Sequence, residues 1–182
     1  LGKMTIGFAN AVNHLQSQGL DLQGNVGENI FTDVNSAIAA KSRVVAASNS
    51  NADLEVYIDD IKPLKTGEYS LQYDGSDYVV TRPDGAKEQV AVNNNAISID
   101  GLRIQINQDL ASGERVFIRP TRSGAGQIQL VTKDAAKIAA QSYEASTTFA
   151  QGKAVFEIEK AGALKEFEVI VSPDGSQFAV TD

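Results

Sequence analysis

The chain has 182 residues, 42% of them hydrophobic, and its 16 basic and 23 acidic side chains leave a formal charge of −7, so neither nucleic acid nor an anionic membrane is expected as a partner. It has no cysteine and one histidine, His14, which removes disulfides and thiolate chemistry and leaves any imidazole-dependent site resting on one side chain. No apolar run approaches the roughly 20 residues of a membrane span, and no signal peptide is visible.

Leu1, Met4, Phe8, Ala11 and Leu15 follow the alternating three-and-four spacing of a helix that packs against another helix. No capping residue precedes them, so the expectation is a helix entered partway along its length, ending at Gly19, which can adopt the left-handed conformation that closes a helix. The C-terminus is equally abrupt, and the expectation is an excised piece of a longer chain. Asp21 to Asn29 is a polar loop, after which Ile30 and Phe31 read as anchors returning to a core. Between Asn35 and Asn51 the signals divide, helical at Ala37 to Ala40 and extended from Arg43 to Ala47, so the segment is a connection.

From Ala52 the apolar period becomes two, with Leu54, Val56 and Ile58 alternating against Glu55, Tyr57 and Asp59. Tyr69, Leu71 and Tyr73 then run into Asp74-Gly75, a dipeptide suited to a tight hairpin, and Tyr78 to Thr81 returns. Arg82 to Gly85 turns again, and Val90, Val92, Ile97, Ile99, Leu102, Ile104 and Ile106 continue the meander through turns at Asn93 to Asn95 and Asp100-Gly101. Val116 and Ile118 form a strand that stops at Pro120, and Ile128 with Leu130 reads as one more. Lys133 to Ser142 is alanine-rich and reads as a helix or turn, and strands are expected around Val155 to Ile158, Phe167 to Val171 and Phe178 to Val180.

The expected fold is mainly β: an antiparallel meander or sandwich-like module with an N-terminal helix and a short Ala-rich helix, followed by more strands. The chain divides into a core-helix end over 1–19, a connecting segment over 20–51, a β domain over 52–142 and further strands over 143–182. Asp74 to Thr81 aligns with Asp174 to Thr181, which suggests a second module of the same plan after about residue 150; the plainer reading is that Asp-Gly hairpins share alternating apolar residues.

No arrangement of residues in the sequence points to a chemical site. Asp21, Gln23 and Asn25 alternate as in a calcium loop, but counting from Asp21 the required Gly and Glu positions hold Val26 and Thr32. Asp59 and Asp60 are adjacent and point to opposite faces of a strand, while Glu157 with Glu159 and Glu166 with Glu168 read as solvated faces. His14 lies off the helical seam. Ser48 and Ser50 sit in no nucleophile motif, and Gly124-Ala125-Gly126 is a loop without the rest of a dinucleotide fingerprint. Arg115, Arg119 and Arg122 make a short basic cluster on an outer face. No catalytic, cofactor-binding or metal-binding residue is assigned, no cofactor is expected, and the chain is not expected to be an enzyme.

Three segments read in order resemble a known family. Phe8 to His14 is followed by Gly19 to Gly24, Gly27 and Phe31; Tyr69 to Gly75 by Val80-Thr81-Arg82, Asp84-Gly85 and Ile99 to Leu102; and Ser112-Gly113-Glu114 with Phe117 by Pro120-Thr121-Arg122, Val131-Thr132 and Asp134 to Ala140. Together they resemble the outer part of the flagellar hook-associated protein 1 family, with Glu114 where the family usually has Asp. The resemblance covers roughly residues 1–142 and is less specific from 143 to 182. It implies an extracellular structural protein at the hook–filament junction of the bacterial flagellum, exported by the flagellar type III apparatus. It also implies a ring of subunits with the hook protein and the second junction protein as partners, while the piece itself is expected to be monomeric. The alternative on composition alone is an adhesin-like or glycan-binding β domain.

Overall fold

The structure, a computed structural model, describes residues 1–140 and the backbone of strands at 143–150, 153–160, 163–171 and 178–181. The chain forms two compact units, residues 1–12 with 31–131 and residues 13–30 with 132–182.

Helix α1 (Gly2–Ser17) contributes residues 2–12 to the first unit and 13–17 to the second. In the first unit it is followed by α2 (Ala37–Ser42), β1 (Val44–Val45), β2 (Asp53–Ile58), β3 (Tyr69–Tyr73), β4 (Tyr78–Thr81) and β5 (Lys87–Val90). Strands β6 (Ala96–Ile99), β7 (Leu102–Gln108) and β8 (Arg115–Ile118) and the short helix α3 (Gly124–Gln127) complete it. All pairing is antiparallel, in a five-stranded sheet of order β1-β8-β3-β4-β5 and a three-stranded sheet of order β2-β7-β6.

The period-two alternation explains the packing. Leu71 sits opposite both Val80 and Val116, and Ile104 opposite both Val56 and Ile97, and all six are fully buried. The inner faces of the two sheets belong to one hydrophobic cluster with Tyr69, Tyr78, Leu54, Ile58, Leu102 and Ile118. A one-residue slip would turn that whole set to solvent, so burial fixes the register. Asp100 at φ +48° and Gly101 at φ +78° make the two-residue turn between β6 and β7, the left-handed pair that the Asp-Gly dipeptide supplies.

The connecting segment resolves into both of its sequence tendencies. Ser36 caps α2 by accepting a hydrogen bond from the Ala39 amide, Ala39 and Ala40 are buried, and β1 pairs with β8. Arg43, 2% exposed, reaches back to β2, donating to the Val56 carbonyl at 2.6 Å and to the Val34 carbonyl. Burial pushes its pKa down to about 10, partly offset by Asp33, so the guanidinium remains charged at neutral pH. Asn35 completes the cover of the β2 edge through hydrogen bonds to both backbone groups of Ile58.

The expected strand at Ile128 and Leu130 is corrected. Gly124–Gln127 is helical, and Leu130 makes only an isolated bridge to Phe31. Two apolar residues in alternation are too short a signal to distinguish a strand from a single extended contact.

In the second unit, Leu20 bridges Val26 around a tight loop, and a 3₁₀ turn at Ala135–Lys137 follows the Asp134 side-chain cap. Gln16 clamps that turn, donating to the Lys137 carbonyl at 2.7 Å and accepting from the Ala139 amide at 3.0 Å. Strands β9 (Tyr143–Ala150), β10 (Lys153–Lys160), β11 (Ala163–Val171) and β12 (Phe178–Thr181) form an antiparallel sheet of order β12-β11-β10-β9. The Asp174-Gly175 pair of the suspected repeat lies outside the described residues.

Candidate functional site

Helix α1 carries two apolar faces of different fate. Ile6, Ala9, Asn13 and Gln16 are buried, whereas the seam positions Leu1, Met4, Phe8 and Leu15 are 93%, 76%, 59% and 67% exposed, with Ala11 exposed beside them. Five apolar positions at heptad spacing are thus turned to solvent, while the helix seats itself on the β module by its other face. The face that packs on the first unit carries Ile6 and Ala9 as its buried apolar positions.

That second contact is close. A Cβ built on Gly2 would lie 1.8 Å from the Thr121 carbonyl oxygen, and one on Gly124 would lie 2.6 Å from Ile6 Cδ1 and 3.1 Å from the Gly2 oxygen. The glycine read as part of a featureless loop is thus the seat on which α1 rests. Lys3 Nζ donates to the carbonyls of Lys62 and Leu64, at 3.3 and 2.5 Å. Phe8 packs on Phe31 with ring centroids 5.6 Å apart, and the Thr32 amide donates to the Gln129 carbonyl at 2.9 Å. Phe31 is half-buried at this joint rather than deep in the core.

The residues weighed for chemistry are dispersed into structural roles. Asp21 accepts hydrogen bonds from the amides of Gln23 and Asn25 at 2.9 and 2.8 Å, and the Asn25 amide above all holds its pKa below the usual carboxylate value. It closes a turn. Asp59 pairs with Arg103 at 2.9 Å, and Asp60 accepts from the Lys62 amide. His14 is exposed, 3.1 Å from the Gln18 amide. The Ser50 hydroxyl accepts from the Ala52 amide at 3.1 Å. Side chains of Glu157, Glu159, Glu166 and Glu168 lie outside the described residues. Among the described residues no group of three or more His, Asp or Glu side chains converges as a metal site, and no helix is long and apolar enough to cross a membrane.

The turn after β4 and the turn between β6 and β7 are brought together. Arg82, in the turn after β4, pairs with Asp100 in the β6–β7 turn at 2.9 Å and with Glu88 at 2.6 Å. These partners, Asp100 first, raise its pKa still further. The same Asp100 accepts from the Tyr69 hydroxyl at 3.2 Å, and that hydroxyl accepts from the Lys65 amide at 2.9 Å. Burial pushes the Tyr69 pKa up to about 12. The network ties an end of one sheet to a turn of the other.

Residues 44–120 match the family model of the flagellar hook-associated protein 1, D2-like domain. The flagellar hook-associated protein 1 of Salmonella typhimurium (strain LT2) is 25% identical over 148 residues, which is 78% of this chain and 26% of that protein. That of Escherichia coli (strain K12) is 23% identical over 156 residues, 79% of this chain and 26% of the relative. The solved flagellar hook junction protein FlgK from Burkholderia pseudomallei is similar with a TM-score of 0.64 and 25% identity, covering 85% of this chain and 29% of that one. The chain thus spans about a quarter of the length of these relatives, 26% for the curated ones.

Proposed function

We propose that this chain is the outer part of a flagellar hook-associated protein 1, a structural subunit at the junction between hook and filament. The observation that carries this reading is the exposed heptad seam of α1, joined to a β module whose residues 44–120 match that family's D2-like domain. In this role the seam receives a terminal helix of the full-length protein, and the glycine-seated joint at Gly2 and Gly124 carries load from the helical core to the outward-facing sheets. The region 52–142 is then the outer β domain, with 20–51 as its connection and 143–182 as further strands.

The partners of the full-length protein are itself, in a ring, and the neighbouring axial components: the hook protein and the second junction protein. The location is extracellular, reached by flagellar type III export, and the work is mechanical rather than enzymatic. Similarity to flagellar hook-associated proteins favours this reading over the adhesin-like alternative. Deletion of the parent gene tests it: cells should lose attached filaments and motility, and normal attached filaments would refute the junction role.

A further inference from the structure

Asp-Gly steps lie in turns of the first unit at Asp74-Gly75, Asp84-Gly85 and Asp100-Gly101, and the fold holds them differently. Glycine has no side chain to keep its amide nitrogen from the carboxyl carbon of the preceding Asp, so the surroundings decide whether the two react. At Asp100 they are held apart. Arg82 and the Tyr69 hydroxyl occupy both carboxylate oxygens, and the amides of Asp59 and Asp60 pin the Gly101 carbonyl at 2.9 and 3.0 Å. At Asp84, Lys65 pairs with one carboxylate oxygen and the Ala86 amide donates to the other. The Gly85 amide is itself engaged, donating to the Arg82 carbonyl at 2.9 Å.

Asp74 meets neither restraint. It is exposed in the loop between β3 and β4, and among the described residues no cation pairs with its carboxylate and nothing accepts from the Gly75 amide. Its Oδ1 accepts from the amides of Ser76 and Asp77 at 2.9 and 2.8 Å. The Ser112 hydroxyl donates to the Asp74 carbonyl at 3.4 Å, and a Cβ on Gly75 would lie 2.8 Å from that hydroxyl. Ring closure uses these contacts. The two amides face the oxygen that gains negative charge as nitrogen adds to the carboxyl carbon, and the hydroxyl draws charge from the peptide whose nitrogen must lose its proton.

We propose that Asp74-Gly75 is a site of spontaneous isomerisation to isoaspartate, selected by the fold over the steps at Asp84 and Asp100. From the protonated carboxyl, the Gly75 nitrogen bonds to Cγ, and the amide hydrogen leaves with the carboxyl hydroxyl as water, closing a cyclic succinimide. Water then adds to either ring carbonyl. Addition at Cγ restores aspartate, and addition at the former peptide carbonyl leaves the main chain running through Cβ. One water is released and one consumed, so the mass is unchanged and no other reactant is needed. The amides of Asp77 and Ser76 also hold the Asp74 carboxyl below its ordinary value. The protonated form is therefore scarce at neutral pH, and the change is slow. The site depends on this loop alone and is independent of the junction role.

The test ages the intact chain at about pH 5, where more of the carboxyl is protonated. Its peptides are then mapped by electron-transfer fragmentation, whose cleavage ions tell isoaspartate from aspartate. Isoaspartate should accumulate at Asp74 about tenfold faster than at Asp84 or Asp100, and in urea the rates should converge. Ser112→Ala should slow the change at Asp74 about threefold, with the rate at Asp84 and the melting temperature unaltered. No isoaspartate at Asp74, an equal or faster rate at Asp84 or Asp100 in the folded chain, the same ranking in urea, or no slowing in Ser112→Ala would each overturn the proposal.

Discussion

The Asn35 side chain pairs with Ile58 as a neighbouring strand would: Oδ1 accepts from the Ile58 amide at 2.9 Å and Nδ2 donates to its carbonyl at 2.9 Å. Arg43 does the same for the Val56 carbonyl. Two side chains of the connecting segment thus cover the outer edge of β2, which would otherwise present unpaired backbone groups to another chain. Arg43→Met should cost about 2–4 kcal/mol, because the carbonyls of Val34 and Val56 lose a charged donor in a buried place. Chemical denaturation checks this, and a loss below that of an exposed substitution such as Lys87→Met would contradict it.

Tyr69 and Tyr78 set an alkaline limit. Burial first, and for Tyr78 its bond to Asp109 next, raise both pKa values to about 12 from 10.0. The native state favours the neutral hydroxyls, so their contribution is fully present below pH 10 and is lost as pH rises toward 12. Denaturation midpoints should fall steeply across that window, and Tyr69→Phe/Tyr78→Phe should flatten the fall. An equally steep fall in the double variant would show that other groups titrate there.

The joint should be sensitive at one glycine and indifferent at another. A Cβ on Gly124 crowds Ile6 and the Gly2 oxygen, whereas one on Gly126 meets nothing within 4 Å. Gly124→Ala should lower stability by about 1–2 kcal/mol and Gly126→Ala should be neutral or slightly stabilising, measured by melting temperature. Equal effects would remove Gly124 as the seat of the helix.

Phe31 and Leu71 separate joint from core. Phe31 is half-buried against Phe8, while Leu71 is fully buried. Phe31→Ala should therefore cost about 1–2 kcal/mol and Leu71→Ala about 3–4. A Phe31→Ala loss as large as that at Leu71 would place Phe31 in the core instead.

How far the sequence carries depends on how local the determining forces are. Strands β2 to β8 were legible because alternation and Asp-Gly turns are local signals, and the same holds for the heptad seam. The α2–β1 segment was legible only as two conflicting halves, since Arg43 and Asn35 act across 13 to 23 positions of chain. Gly124 and the Arg82–Asp100 pair were invisible for the same reason: each has meaning only once distant segments meet. Leu130 failed as a strand because two alternating residues do not distinguish a ladder from a single bridge.

The proposed junction role requires the seam of α1 to be an assembly surface and not part of this unit's core. Met4→Glu with Leu15→Glu, introduced in the full-length protein and paired with the melting temperature of the isolated chain, separates the two roles. The isolated chain should melt within about 2 °C of the parent because both side chains are exposed. Cells carrying the full-length variant should fail to hold filaments on their hooks. Normally attached filaments in those cells would rule that role out.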